Sequence, residues 1–74
     1  MQVQLLGTVI HDYAEVNLAK PGSYWLYNAS GTLIQRGHLN AGYNMIPVKA
    51  PQRGPLWLKI QCGNEISSYT LIKQ

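Results

Sequence analysis

Apolar and polar residues alternate in short runs along most of this chain. From Leu56 to Cys62, Leu56, Leu58, Ile60 and Cys62 fall on one side of an extended backbone, with Trp57, Lys59 and Gln61 on the other. A period of two predicts a strand with one face buried. Tyr13 to Ala19 repeats the pattern, with Ala14, Val16 and Leu18 opposed to Glu15 and Asn17. Tyr43 to Val48 sets Asn44, Ile46 and Val48 against Tyr43 and Met45. There Pro47, which has no backbone donor, predicts an edge strand or a strand end. Val3 to Ile10 alternates more loosely and reads as a first strand, with Gly7 as a bulge or close approach. Glu65 to Lys73 is the closing strand.

Turn formers punctuate these runs. The apolar stretch Tyr24–Tyr27 stops at Asn28-Ala29-Ser30-Gly31, and a second begins at Thr32 and continues to about His38. Two such runs around a short turn predict a β-hairpin. Asn suits the first position of a type I turn because its side chain bonds the backbone two residues on, and Gly suits the last. Lys20-Pro21-Gly22-Ser23 predicts a type II turn, Leu39-Asn40-Ala41-Gly42 a further break, and Gly63-Asn64 a tight hairpin turn of a primed type. His11-Asp12 is a turn, and residues 50–55 form a loop. About seven short strands result, with turn signals roughly every 8–12 residues and no helical period. The expected fold is all-β, an immunoglobulin-like β-sandwich of about seven short antiparallel strands, formed by residues 1–74 as one domain. The Cys…Trp…Cys framework of antibody domains is missing.

Composition narrows the function. A chain of 74 residues buries only about 60% of its unfolded surface, so stability is modest. The formal charge of +3 is spread over Lys20, Arg36, Lys49, Arg53, Lys59 and Lys73, without the clustering that tracks phosphates, so no nucleic-acid partner is expected. The lone Cys62 forms no intrachain bridge and alternates with Ile60 on the inner side, as a buried thiol would. Met1-Gln2-Val3-Gln4 has neither the basic start nor the apolar core of a signal peptide, so an export signal would lie upstream in a longer parent. No run of about 20 apolar residues is present.

The chemistry available is sparse. His11 and His38 are the only imidazoles, Ser23, Ser30, Ser67 and Ser68 the candidate nucleophiles, and no nucleophile elbow accompanies them. Asp12, Glu15 and Glu65 are the only carboxylates, and nothing has metal-ligand spacing. No catalytic residue, metal or cofactor is expected. Asn28-Ala29-Ser30 matches a glycosylation acceptor, but the turn explains the Asn. The surplus is aromatic: in Trp25, Tyr27, Trp57 and Tyr69 a large apolar body carries a polar tip, and strand alternation must turn some of them outward.

Four stretches together resemble a known family. They are Tyr24 to Ile34, Leu39 to Val48, Gly54 to Ile60, and Tyr69 to Gln74. The pattern over residues 13–74 is similar to the C-terminal sorting domain of the type IX (Por) secretion system of Bacteroidetes: an apolar strand, an Asn/Asp-x-x-Gly turn, a second strand, a Leu-x-x-Gly break, a Gly-x-Tyr strand and a short closing strand. Asn28, Gly31, Gly42 and Gly54 fall on its turn positions. Leu56 stands where the family usually has Tyr, Thr70 where it often has Lys, and Pro55 follows the turn glycine. The resemblance implies a non-catalytic sorting signal at the C-terminus of a larger exported protein, in transit through the periplasm to the outer membrane, cell surface or medium. Its partners would be the outer-membrane shuttle or translocon, a sortase-like peptidase and the rest of the parent. A closing strand with a free edge makes Leu71, Ile72, Lys73 and Gln74 the expected partner-binding residues, and admits a strand-swapped homodimer.

The second reading is an accessory β-sandwich module of an extracellular enzyme, one that binds carbohydrate through outward aromatics. An aromatic row on one exposed sheet face, near a shallow groove, would favour that reading. Aromatics buried between the sheets, with a free closing strand, would favour sorting.

Overall fold

The computed structural model describes residues 3–49 and 53–74. They form β1 (Val3–Leu5), β2 (Val9–Ile10), β3 (Tyr13–Leu18), β4 (Gly22–Tyr27), β5 (Leu33–Leu39), β6 (Gly42–Pro47), β7 (Gly54–Cys62) and β8 (Glu65–Lys73). Two sheets result, in the orders β1-β3-β6 and β2-β8-β7-β4-β5. They pack as an immunoglobulin-like sandwich with its first strand divided between the sheets. All pairings are antiparallel except β2 with β8, which is parallel.

The division of the first strand raises the expected seven strands to eight among the described residues. Leu6 still donates its N–H to Glu15 of the small sheet, whereas the Thr8 carbonyl accepts from Ile72 of the large one. The chain changes sheets between them, at Gly7, whose φ of +110° other residues rarely adopt. The predicted bulge is therefore a sheet switch.

The alternation read from the sequence sets the core. Ala14, Val16 and Leu18 of β3 face Leu56, Leu58, Ile60 and Cys62 of β7, all buried, with Leu26, Ile46 and Leu71 closing the interior. Fully burying one such leucine contributes roughly 1.5–3 kcal/mol. Cys62 is buried as expected, its thiol directed at the Lys20 carbonyl 3.4 Å away. Pro47 ends β6, an edge strand, where its missing donor costs nothing.

One turn is corrected. Pro21-Gly22 does not make a type II turn, because Gly22 lacks the positive φ that turn needs and already belongs to β4. Its glycine serves close approach instead: a Cβ there would collide with the Gln61 carbonyl of β7. Of the expected 50–55 loop, Ala50, Pro51 and Gln52 lie outside the described residues, while Gly54 and Pro55 open β7.

Candidate functional site: the outer face of the five-stranded sheet

The hairpin turn positions the middle of the large sheet. The Asn28 side-chain oxygen accepts from the N–H groups of Ser30 (2.9 Å) and Thr32 (3.0 Å), and its carbonyl accepts from Gly31. The chain then turns back through Gly31 at φ +84°. Gly42 and Gly54, the other family turn positions, also have positive φ. All four residues thus serve the backbone path. Gly63 alone of its pair has positive φ, which fits a type II′ hairpin turn.

Cross-strand register decides which side chains face out. The inward set Leu71, Leu58 and Leu26 leaves Thr70, Trp57, Tyr27 and Leu33 aligned across β8, β7, β4 and β5 on the outer face. The next row is Ser68, Lys59, Trp25 and Arg36, and the next Ile66, Gln61, Ser23 and His38. At one end Val9, Ile72 and Pro55 extend the apolar side. Val9, Leu33, Trp57, Ile66 and Ile72 are all exposed. The Lys59 ammonium lies 5.2 Å from the Trp25 ring centroid, a cation–π contact that orients both side chains. The three carboxylates lie elsewhere: Asp12 in the turn before β3, Glu15 on the small sheet, and Glu65 opposite the inward Cys62. This face therefore joins apolar and aromatic area to the cations Lys59 and Arg36, with no acid among its described residues. A shallow groove of about 430 Å³, lined by Ser23, Tyr24, Trp25, Arg36, Gly37 and His38, opens at its β5 margin.

The aromatic surplus is divided. Trp25, Tyr27 and Trp57 point outward, whereas Tyr24 and Tyr69 lie on the inner side, packed against the core. The Tyr24 ring covers Gly37 of β5, where a Cβ would come within 2.8 Å of it. The expected partner-binding terminus is also redistributed. Leu71 is fully buried, so its side chain is core and cannot contact a partner. Ile72 and Lys73 pair with β2, and Gln74 donates its N–H to the Ile10 carbonyl. From Ile72 on, the chain is held between β7 and β2, so the expected free edge is lost at the terminus itself. Only Ile72 presents an exposed apolar side chain, and it does so on the outer face.

The histidines are at the surface. His11 and Asp12 form an exposed turn, and His38 Nδ1 lies 3.3 Å from Ser23 Oγ on the outer face. The carboxylates occupy separate elements, and no metal-binding cluster is found among the described residues.

Three polar contributors escaped sequence reasoning. Gln35 joins the sheets: its amide donates to the Pro47 carbonyl (2.7 Å) and its oxygen accepts from the Lys49 N–H (3.1 Å). Asn44 holds the β5–β6 turn by donating to the carbonyls of Asn40 and Gly42 and accepting from the Asn40 N–H. Tyr43 donates to the Glu15 carboxylate (2.6 Å), which, with some desolvation and the carboxylate's charge, raises the phenol above its usual pKa. The Asn residues flanking Gly42 were a signal available for the second; nothing local marks Gln35.

Comparison with family models, with curated proteins and with solved structures gives no match.

Proposed function

We propose that this chain is a non-catalytic recognition domain of the type IX sorting kind, carried on a larger exported protein and read by proteins of the outer-membrane machinery. What supports the sorting reading is the fit between motif and backbone. Asn28, Gly31, Gly42 and Gly54, on which the resemblance rests, all occupy positions that the sandwich needs for its turns. A signal built this way is a folded shape, displayed by its turns. The recognising surface is the outer face of the large sheet, because Trp, Tyr and Arg dominate binding energy at protein interfaces and Trp57, Tyr27, Trp25 and Arg36 meet there. Truncation before Leu71 is a poor test, since it removes a core side chain with the terminus.

The direct test attaches residues 1–74 to the C-terminus of a fluorescent protein bearing a signal peptide, in a Bacteroidetes host with and without a working type IX system. Delivery to the surface or medium only in the competent strain is the expected result. Periplasmic retention in both strains would contradict sorting.

The second reading, the accessory carbohydrate-binding module, is favoured by both features that separate the two: the outward aromatics Trp25, Tyr27 and Trp57 lie in two adjacent rows beside a shallow groove, and the end of the closing strand is paired with β2, so the sorting reading stands on the turn motif alone. Binding on a glycan array that is lost on Trp57→Ala, together with failure of the export test, would establish it over the first.

A further inference from the structure

The two cations of the large face are used differently. Lys59 reaches Trp25 from β7, on the side away from β5, and its ammonium sits 5.2 Å from the ring centroid. Arg36 stands across from Trp25 on β5 and is exposed. Its guanidinium has no hydrogen-bond or ion-pair partner among the described residues. No carboxylate among the described residues of this face could supply one. A guanidinium offers parallel N–H donors that match the two oxygens of a carboxylate.

Arg36 also lines the shallow groove at the β5 margin. Trp25 and Arg36 belong to one outward row, Ser23 and His38 to the next, and two residues of extended chain separate the rows by about 7 Å. The floor between them is the backbone of Tyr24 and Gly37, because the Tyr24 ring lies on the inner side against Gly37. No side chain therefore rises between the rows. His38 Nδ1 and Ser23 Oγ, 3.3 Å apart, supply polar atoms opposite Trp25 and Arg36. The groove crosses only β4 and β5, roughly 5 Å apart, and its volume of about 430 Å³ is that of a small-ligand site. That short span suits a compact ring better than an extended peptide.

We propose that this groove binds an acidic sugar, a uronate unit of a polysaccharide. The carboxylate sits on the Arg36 guanidinium, the pyranose ring packs against Trp25, and ring hydroxyls meet His38 and Ser23. Charge complementarity selects the acid, since the groove has a cation open to a ligand and no carboxylate to oppose one. Trp25 selects the sugar: the C–H groups of a pyranose cover an aromatic surface, and the carboxylate side chain of a peptide leaves that surface unused. This ligand rests on the carbohydrate reading of the groove and is independent of the sorting reading.

Titration of the isotope-labelled full chain, followed through its backbone amide resonances, tests this. The probes are trimers of galacturonate and of glucuronate, the methyl esters of both, and a short poly-glutamate. The esters keep the rings and hydroxyls and lose the charge; poly-glutamate keeps the charge and loses the rings. At least one acid trimer should shift the amides of residues 23–25 and 36–38. It should bind at least about tenfold more tightly than its ester or poly-glutamate, the factor expected for a charge-assisted hydrogen bond. Arg36→Gln, at an exposed position, should cost that trimer a similar factor and leave the ester unmoved. Arg36→Lys, which keeps the charge without the fork, should fall between. An ester that binds as well as its acid would overturn the uronate and leave the carbohydrate reading standing. Trimers that bind in neither form would overturn both. Poly-glutamate binding as tightly as the acid trimers would overturn the sugar in favour of an acidic peptide. Shifts confined to residues away from the groove, or acid binding unmoved by Arg36→Gln, would also overturn the proposal.

Discussion

The two outer faces of the sandwich obey the same alternation yet carry different surfaces. On the small sheet, Tyr13, Tyr43 and Met45 are exposed around Glu15. Its one acid is committed within the molecule, where it accepts from the Tyr43 hydroxyl. On the large sheet, Val9, Ile72, Trp57, Leu33 and Ile66 are exposed around Lys59 and Arg36. One face is weakly acidic and internally bonded; the other is basic, wider and richer in the residues that anchor interfaces. Exposed apolar area alone would not separate them, since both have it. The separation comes from charge and from what that charge touches.

Four perturbations sharpen the contrast, from the largest effect to the smallest. Leu58→Ala empties the core beneath both faces and should cost roughly 2–5 kcal/mol in denaturant unfolding. Trp57→Ala, the next residue but 40% exposed, should cost markedly less in the same assay, and an equal loss would place Trp57 in the core. Asn28→Ala removes two side-chain acceptors from the hairpin turn behind the large face and should cost about 1–2 kcal/mol. Lys59→Gln removes the cation from the Trp25 ring and should lower stability by about 1 kcal/mol or less, with a change in tryptophan fluorescence.

The small face has a pH signature. The Tyr43 phenol, bonded to Glu15, should ionise above the ordinary tyrosine value of about 10 when followed by ultraviolet absorbance. Its pKa is higher folded than unfolded, so the protonated form favours the folded state. That contribution is present below the ordinary tyrosine value and is lost as pH rises through the folded one. Glu15→Gln should bring the phenol back down and leave Lys59 and Arg36 on the opposite face untouched.

The sequence revealed the fold where information is local. The inward sets of β3 and β7 follow from period two, and the Asn28–Gly31 turn from side chains that bond their own backbone. What stayed hidden depends on residues far apart. Gly7 was marked as irregular, but its sheet switch is set by Glu15 and Ile72. Gly22 read as a turn glycine because Pro21 precedes it, yet the deciding neighbour is the Gln61 carbonyl. The C-terminal residues looked free for the same reason: only the parallel pairing with β2 shows that they are held. For the candidate site, the aromatic surplus was visible, but its sorting onto one face beside Lys59 and Arg36 required the register of β4, β5 and β7.

The role of the large face is tested by comparing the two faces in the export fusion. One variant carries Trp57→Ala with Lys59→Glu on the large face, and the other carries Tyr43→Ala with Met45→Ser on the small face, both checked for native circular dichroism. Type IX-dependent delivery that is lost in the first and kept in the second is the predicted result. Unimpaired delivery of the first variant, or loss confined to the second, would show that the large face is not the surface recognised.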